Sequence, residues 1–538
     1  MFIKKNKGVF LTICLMFIVF LYSCEIIPTE SYYANDTEVY PELYCSGDKS
    51  SYTEESITER EGSYQDERRT LQILLDVANE RRVSIEKVDG EIVSGFAYSR
   101  DFTFYDLSPI MMNPADRVNM QSVTRKEAVE DVKVLFEVLR YVYGGYLYFG
   151  GDEVFKLAKE QIVEDIQLID DNISGMELSR ILQRHLSPII NDHHFTISGL
   201  LFGSYYTFLV SRDVFFDKTN RGFRNRENGL YVNEVPGHDI ADILRLQLDE
   251  SGQHFYAPIL MREGVSTAAQ TLTIIYENNT REYIELRAAP LGRNVSHIPS
   301  SLTETSGFPV VSLTWMMGMS SVAHGGHARA FLDFAEKLSD ESVVILDLRS
   351  NSGGTAILPL KWMYLITGEV VNGNYINLGN WSVEHEYPWT PHGDTPETNP
   401  FYFSDEDLEV LAPVIIEPTI INGNNVYNLS DRHIVEREQV LVVLVDRHTS
   451  SAGEYFVDLV FNVENTIVIG QNTFGVLTVD AAYPHLRMPN SGMPVRLGRS
   501  IMFWSEEHFV EGVGFRPDVW VTGCALTATI AMLMNEAC

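Results

Sequence analysis

The last third of the sequence predicts an α/β fold with a largely parallel sheet. Short runs rich in β-branched residues alternate there with helical patterns. The runs cover residues 309–313, 342–348, 439–445 and 466–469, and the helices cover 328–338, 356–366 and 454–462. Strands that are apolar at nearly every position indicate a sheet covered on both faces, which is typical of α/β proteins.

Two regions of different character precede this domain. From Thr124 onward, apolar residues recur at three- and four-residue spacing and predict a helix there, with further helices over 153–168 and 175–186. Alternating apolar runs and turn signals follow, and they predict a small β-rich domain of PDZ-like type with one helix over 239–248.

The N-terminus has the features of an export signal. Three lysines within the first seven residues precede an apolar run over 9–21, and Ser23 then stands directly before Cys24. This arrangement resembles a bacterial lipobox, in which Cys24 becomes the lipidated N-terminus. An ordinary signal peptide or a single membrane anchor is the alternative, but the run is short for a spanning helix. The predicted divisions are 1–23 signal peptide, 24–66 tether, 67–199 helical module, 200–300 PDZ-like domain and 301–538 α/β core.

Composition restricts the partners. The formal net charge is −33, and it becomes −36 once the three lysines of the signal are removed. Such a field repels nucleic-acid phosphates and anionic lipid, so neither is an expected partner. The five cysteines form no CxxC or Cys/His cluster, which argues against a structural zinc site. No metal or organic cofactor is expected, and Cys45 is a candidate disulfide partner of Cys524 or Cys538.

Two segments of the α/β domain could carry chemistry. Ser450 and Ser451 lie where a strand ends and a helix begins, a place where backbone N–H groups and the helix dipole favour negative charge. A serine there can act as a nucleophile, although Ser451-x-x-Glu454 also fits a helix capping box. The turn over 347–354 ends in two glycines, which suit an oxyanion hole or a simple β–α turn.

Four motifs in one order resemble a known family. D-L-R-x-N-x-G-G, T-S-S-A-G-E, I-G-Q-N-T-F-G and G-F-R-P-D begin at residues 347, 449, 469 and 514. Their order is similar to that of the C-terminal-processing (tail-specific) serine proteases and their relative, the tricorn core protease. The resemblance covers about residues 124–520. It implies a crotonase/ClpP-like β-α spiral core and an endopeptidase that cleaves extended or unfolded polypeptides.

The resemblance also assigns roles to residues. Ser451 is the implied nucleophile, and its own amide or that of Ala452 joins Gly353 or Gly354 in receiving the oxyanion. The processing proteases use a lysine directly after T-F-G as the base. Here that position is Val476, and no lysine follows Lys361.

The tricorn-like branch uses a histidine and a glutamate instead of the lysine. The D-x-H element at Asp192 implies His194 as the base, and E-x-x-G-x-x-P-D implies Glu511 as its orienting carboxylate. His193 is an alternative base, and Glu506 and Glu507 are alternative acids.

Two other functions compete with this hypothesis. The missing lysine is compatible with a catalytically inactive, peptide-binding lipoprotein built on a protease fold. The same triad chemistry also serves hydrolases of non-peptide esters or amides, because it does not choose the acyl group. The expected location is the bacterial cell envelope, either periplasmic or surface-exposed.

Overall fold

A computed structural model describes most of the chain. The residues described are 69–97, 107–112, 119–169, 172–291, 300–320, 325–379, 403–415, 417–480 and 485–537. The predicted signal peptide, the tether, Cys24 and Cys45 lie outside these ranges. Within them, none of the helices is long and apolar enough to span a membrane.

The helices of the described residues are numbered in chain order. They are α1 (Thr70–Ser84), α2 (Ile92–Phe96), α3 (Arg125–Tyr141), α4 (Gly151–Gln167), α5 (Gly175–Leu186), α6 (Ile240–Ile243), α7 (Gly325–Leu338), α8 (Ile357–Thr367), α9 (Asp405–Leu411), α10 (Ala452–Val460) and α11 (Ala525–Ala537), with a 3₁₀ turn at Ala412–Val414.

The strands are numbered in the same way. They are β1 (Thr196–Ile197), β2 (Leu200–Leu201), β3 (Tyr206–Val210), β4 (Phe216–Thr219), β5 (Gly222–Asn225), β6 (Val232–Glu234), β7 (Leu244–Leu248), β8 (His254–Glu263), β9 (Gln270–Tyr276), β10 (Arg281–Ala288), β11 (Ser301–Thr305), β12 (Phe308–Ser312), β13 (Val343–Asp347), β14 (Ile376–Gly379), β15 (Thr419–Ile421), β16 (Asn424–Tyr427), β17 (Val440–Val445), β18 (Thr466–Gly470), β19 (His485–Arg487), β20 (Pro494–Arg496), β21 (Ser500–Phe503) and β22 (Val519–Trp520).

The central sheet confirms the predicted α/β class. Strands β12, β13, β17, β18 and β22 lie side by side and are parallel. One face packs on α7, α8 and α10, and the other packs on α1 and α11. Both faces are therefore covered, as the continuous apolar runs require. Because α1 packs on this sheet, it contributes to the α/β core, although its residues fall within the predicted helical module.

The predicted helix over 239–248 is wrong. Only Ile240–Ile243 is helical, and Leu244–Leu248 forms β7. β7 pairs antiparallel with β8 and extends the central sheet through a parallel contact between Gln247 and Trp520. Pairing on both edges satisfies the backbone of this segment, and tertiary pairing therefore overrides its local helical pattern. The β-rich region is continuous with the central sheet.

The helical module shares its core with the C-terminal part of the chain. Helices α3, α4 and α5 begin and end close to the predicted residues, and Thr124 and Glu127 form a reciprocal capping box at the start of α3. Their apolar faces pack with Leu486, Met493 and Val495 of the β19–β20 region. β20 pairs with β1, which follows the Asp192–His194 segment directly. This pairing brings the end of the module to the α/β domain.

Candidate active site

Ser451 lies at the junction of β17 and α10 in an unusual backbone conformation. Its φ is 52° and its ψ is −122°, a region that non-glycine residues rarely occupy. The Glu454 carboxylate accepts a hydrogen bond from the Ser451 N–H at 3.1 Å. The same carboxylate accepts from Thr473 Oγ1 and from the N–H groups of Gly475 and Val476. Glu454 therefore joins the serine turn to the T-F-G loop.

The glycine turn lies against Ser451. A Cβ at Gly353 would lie 2.7 Å from the Ser451 Cβ, and a Cβ at Gly354 would lie 1.9 Å from the Met316 carbonyl oxygen. Both glycines have positive φ, so no other residue fits this close approach without strain. Asn351 stabilises the turn, because its Oδ1 accepts from the Gly353 N–H at 2.9 Å.

Two backbone N–H groups remain available beside the Ser451 hydroxyl. The N–H groups of Ser451 and Gly353 already donate to Glu454 and Asn351. Among the described residues, the N–H groups of Gly354 and Ala452 have no such partner. Both residues line the same cavity as Ser451. A pair of N–H groups at this place can receive a developing oxyanion.

The structure brings His194 to the Ser451 hydroxyl. The His194 Nε2 lies 3.4 Å from Ser451 Oγ, and its Nδ1 lies 2.7 Å from the carbonyl oxygen of Val479. The carbonyl can only accept, so Nδ1 carries the proton and Nε2 of the neutral ring is an acceptor. Asp192 fixes the backbone here, because its Oδ1 accepts from the His194 N–H at 2.8 Å.

His194 is a buried, neutral imidazole. Burial lowers its pKa to about 4, although the nearby negative charge of Glu511 opposes this shift. A neutral ring with an unprotonated Nε2 can accept the serine proton over a wide pH range.

Glu511 contacts His193 and not His194, which differs from the sequence prediction. Its Oε1 accepts from both the backbone N–H and the Nδ1 of His193 at 3.0 Å. Its Oε2 accepts from the N–H groups of Leu477 and Thr478. The two histidines are adjacent in the chain and point apart, so only one ring can face the serine. Burial alone would raise the pKa of Glu511, but the hydrogen bonds and charge of His193 hold it below its ordinary value.

A buried valine stands where the processing proteases that the sequence resembles have a lysine. Val476 is 2% exposed, and its N–H donates to Glu454 Oε2 at 2.8 Å. Burial raises the pKa of Glu454 to about 7, against the opposing effect of the hydrogen bonds from Thr473, Gly475 and Val476.

A cavity beside Ser451 opens to solvent, and its empty space of about 550 Å³ includes part of that open solvent. Its lining comes from α8, β14, β16 and β21 as well as from the serine and glycine turns. Aromatic and aliphatic side chains dominate this lining, which also includes the polar side chains of Asn377 and Asp480. Its position beside Ser451 makes it a candidate pocket for a side chain of a bound peptide.

The remaining histidine and acid candidates have other surroundings. The His448 N–H donates to Asp446, and His508 pairs with Asp458 in a separate buried cluster. Glu506 and Glu507 are exposed. Within the described ranges, no group of three His, Cys, Asp or Glu residues is arranged to hold a metal ion.

Two groups in the candidate site could not be recognised from the sequence. The Val479 carbonyl is a backbone atom that every residue carries, so no motif identifies it. Glu454 stands in the recognised T-S-S-A-G-E motif, but its capping role concealed its contacts with the loop over 473–476.

Comparison with known proteins identifies a family for part of the chain. Residues 316–521 match the family model described as peptidase family S41. No match was found among the curated proteins. Similar solved structures include mature CPAF, with 13% identity over 77% of this chain and 97% of that chain and a TM-score of 0.40. A lipoprotein from Streptococcus agalactiae has 10% identity over 79% and 100% of the two chains, with a TM-score of 0.36.

The photosystem II D1 C-terminal processing protease is also similar, with 13% identity over 74% of this chain and 93% of that chain and a TM-score of 0.32. The matched family model spans the glycine turn, Ser451 and the T-F-G loop. Residues 316–521 therefore form a serine-type peptidase domain of the S41, or tail-specific protease, family.

Proposed function

We propose that this protein is an exported, lipid-anchored serine endopeptidase that cleaves extended or unfolded polypeptides. Ser451 is the nucleophile and His194 is its base. The observation that carries the proposal is the approach of His194 Nε2 to Ser451 Oγ at 3.4 Å, beside the N–H groups of Gly354 and Ala452. Catalytic contacts are often long in the absence of substrate and shorten when it binds.

The groups present account for each proton in acyl transfer. The Ser451 hydroxyl gives its proton to His194 Nε2 as Oγ forms a bond to the scissile carbonyl carbon. The N–H groups of Gly354 and Ala452 stabilise the oxyanion, and His194 then protonates the leaving amine as the C–N bond breaks. A water molecule then gives a proton to His194 Nε2 as it attacks the acyl carbonyl carbon. The bond to Ser451 Oγ breaks, the acid is released, and His194 returns the proton to Oγ.

The orienting role is divided between two groups in this proposal. The Val479 carbonyl accepts from His194 Nδ1 and selects the reactive tautomer. Glu511 is a positioning residue, because it holds both the His193 backbone and the N–H groups of Leu477 and Thr478. It thereby fixes the segment that carries His194 and the segment that carries the Val479 carbonyl.

The same proposal includes the class of the core, the class of the β-rich domain and the cellular location. We place the core in the crotonase/ClpP-like β-α spiral class and the β-rich domain in the PDZ-like class, where it would grip substrate. Lipidation at Cys24 would tether the protein to the cell envelope. Cys524 is disulfide-bonded, and disulfides persist in oxidising compartments, which supports export.

A substrate panel tests the type of acyl group. The protein without residues 1–24 is expected to cleave an unfolded polypeptide at internal bonds, and Ser451→Ala is expected to abolish this cleavage. His448→Ala is the matched control and should retain it, because His448 lies outside the proposed catalytic groups. Product masses are read by mass spectrometry beside the hydrolysis of small esters. Hydrolysis of esters without any peptide cleavage would reject the peptidase assignment.

A catalytically inactive peptide-binding lipoprotein is the second candidate. The observation that favours it is Val476, which is buried where the family has its catalytic lysine. Such a protein would bind unfolded chains in the cavity with equal affinity before and after Ser451→Ala, and it would never release a product.

The pH dependence of kcat/KM tests the proposed base. We expect the acid limb to lie near pH 4 and not near 6.5, because burial lowers the pKa of His194 to about 4 and only the neutral ring accepts a proton. The measurement uses a peptide without titratable groups. An acid limb between pH 6 and 7 would contradict a buried His194 as the base.

The same shift affects stability, so folding must be followed in parallel. The unfolded chain binds a proton at His194 near its ordinary pKa, whereas the folded chain binds it only near pH 4. The free energy of unfolding is therefore unaffected by this group above pH 6.5, and it decreases as the pH falls from 6.5 toward 4 because the unfolded chain takes up the proton first. A thermal melt at each pH separates loss of the base from loss of the fold.

A further inference from the structure

Asn377 is a polar residue at an apolar position of β14. Its neighbours Ile376 and Leu378 point to the opposite face, where they pack in a small apolar cluster with Val426 and Ile501. Asn377 points to the face that carries the large core of the α/β domain. All four residues of β14 are buried, so Asn377 is a polar side chain on a buried face, and such local conflicts concentrate at functional sites.

The register of the sheet builds a wall around Asn377. β14 pairs with β16 and β21, and Asn377 stands directly opposite Tyr427 on one side and Met502 on the other. All three side chains line the cavity beside Ser451, together with Leu360 and Tyr375. Asn377 therefore presents one amide in an otherwise apolar wall.

Among the described residues, the amide of Asn377 has no hydrogen-bond partner. The residue is 3% exposed, and its Oδ1 is buried without a hydrogen bond. Within the described part of the chain, its Nδ2 likewise makes no hydrogen bond. Burying an unpaired amide destabilises the folded protein. Such a group is explained if the molecule that fills the cavity supplies both an acceptor and a donor.

We propose that this cavity selects the side chain of the residue whose carbonyl Ser451 attacks, and that it prefers a primary amide, glutamine or asparagine. The inference rests on the proposed function. The N–H groups of Gly354 and Ala452 line the same cavity, so the residue with the scissile carbonyl lies at its mouth. Its side chain then extends along the wall, where a primary amide pairs with both the Oδ1 and the Nδ2 of Asn377.

Charged side chains fit this cavity less well than neutral ones. Asp480 lines it, but its carboxylate already accepts from the N–H groups of Arg499 and Ser500 and lies near the Arg499 charge. A bound carboxylate would face Asp480, and the attraction of Asp480 would offset only part of the cost of removing water from a bound ammonium among tyrosine and methionine side chains. A neutral amide avoids both costs.

Peptides that differ only at the attacked residue provide the test. We expect kcat/KM for glutamine to exceed that for methionine by about 10- to 100-fold, since a site built to hydrogen-bond rejects an analogue that lacks the group. Lysine and glutamate peptides should also be poor substrates. Asn377→Leu is expected to reverse the order of glutamine and methionine. Met502→Leu is the matched control: it reshapes the wall but keeps the amide, so the preference for glutamine should persist.

Binding to the Ser451→Ala variant separates this inference from the proposed function. Calorimetry with the same uncleaved peptides measures the preference without turnover. Tighter binding of the glutamine peptide without cleavage by the native protein would support the pocket and reject the peptidase assignment. Cleavage with equal rates for glutamine and methionine, a preference for lysine, or an unchanged order in a folded Asn377→Leu variant would overturn the inference.

Discussion

His194→Ala is expected to reduce kcat by about 10⁴-fold or more, because removal of the base of a serine hydrolase leaves only binding and oxyanion stabilisation. The Val479 carbonyl would lose its hydrogen-bond donor. The fold should persist, because the His194 ring lies in the wall of the cavity and its removal enlarges a space that already exists. The measurement is kcat on an internally quenched peptide, with a thermal melt to establish that the variant is folded.

His193→Ala distinguishes the two adjacent histidines. The His193 ring packs against Tyr205 and Phe474 and bonds to Glu511, away from the serine hydroxyl. Its loss should reduce stability and lower kcat far less than the loss of His194. A variant that lacks His194 but keeps substantial activity, beside an inactive His193 variant, would reverse the assignment of the base.

Glu511→Gln is expected to destabilise the protein and to lower kcat by about 10- to 100-fold, as misplacement of catalytic groups does. A glutamine has one oxygen, so it can accept from either His193 or the N–H groups of Leu477 and Thr478 but not from both pairs. The loss in the free energy of unfolding is about 3–6 kcal/mol if each of two charge-assisted bonds contributes about 1.5–3 kcal/mol. Chemical denaturation and steady-state kinetics measure the two effects.

The matched control is Glu506→Gln, an exposed acid in the same loop, which should change neither quantity. A positioning role also predicts a lower acid limb in the Glu511 variant, because the charge of Glu511 raises the pKa of His194. A loss near 10⁴-fold in kcat with unchanged stability would instead indicate a direct hydrogen bond to the base.

Sequence patterns were sufficient for most elements of the α/β domain. The strands β12, β13, β17 and β18 and the helices between them lie close to the predicted residues, since continuous apolar runs leave few alternatives to a buried sheet. The segment over 244–248 was predicted incorrectly because its strand depends on pairing with β8, and periodicity in a short window does not reveal such a partner.

The candidate site was only partly accessible from sequence. Spacing and motif order selected Ser451, His194 and the glycine turn, which the structure brings together. The geometry separates Glu511 from His194, because the ring that faces Glu511 belongs to the preceding residue. Asn377 also escaped notice, because its significance lies in an unpaired amide that only the packed cavity reveals.

Labelling of the active serine tests the central claim most directly. The protein without residues 1–24 is treated with a fluorophosphonate probe beside its Ser451→Ala variant. The proposed mechanism predicts rapid labelling of the native protein at Ser451 and none in the variant, because His194 activates that hydroxyl. A folded native protein that remains unlabelled, or a variant that labels equally well, would contradict Ser451 as an activated nucleophile.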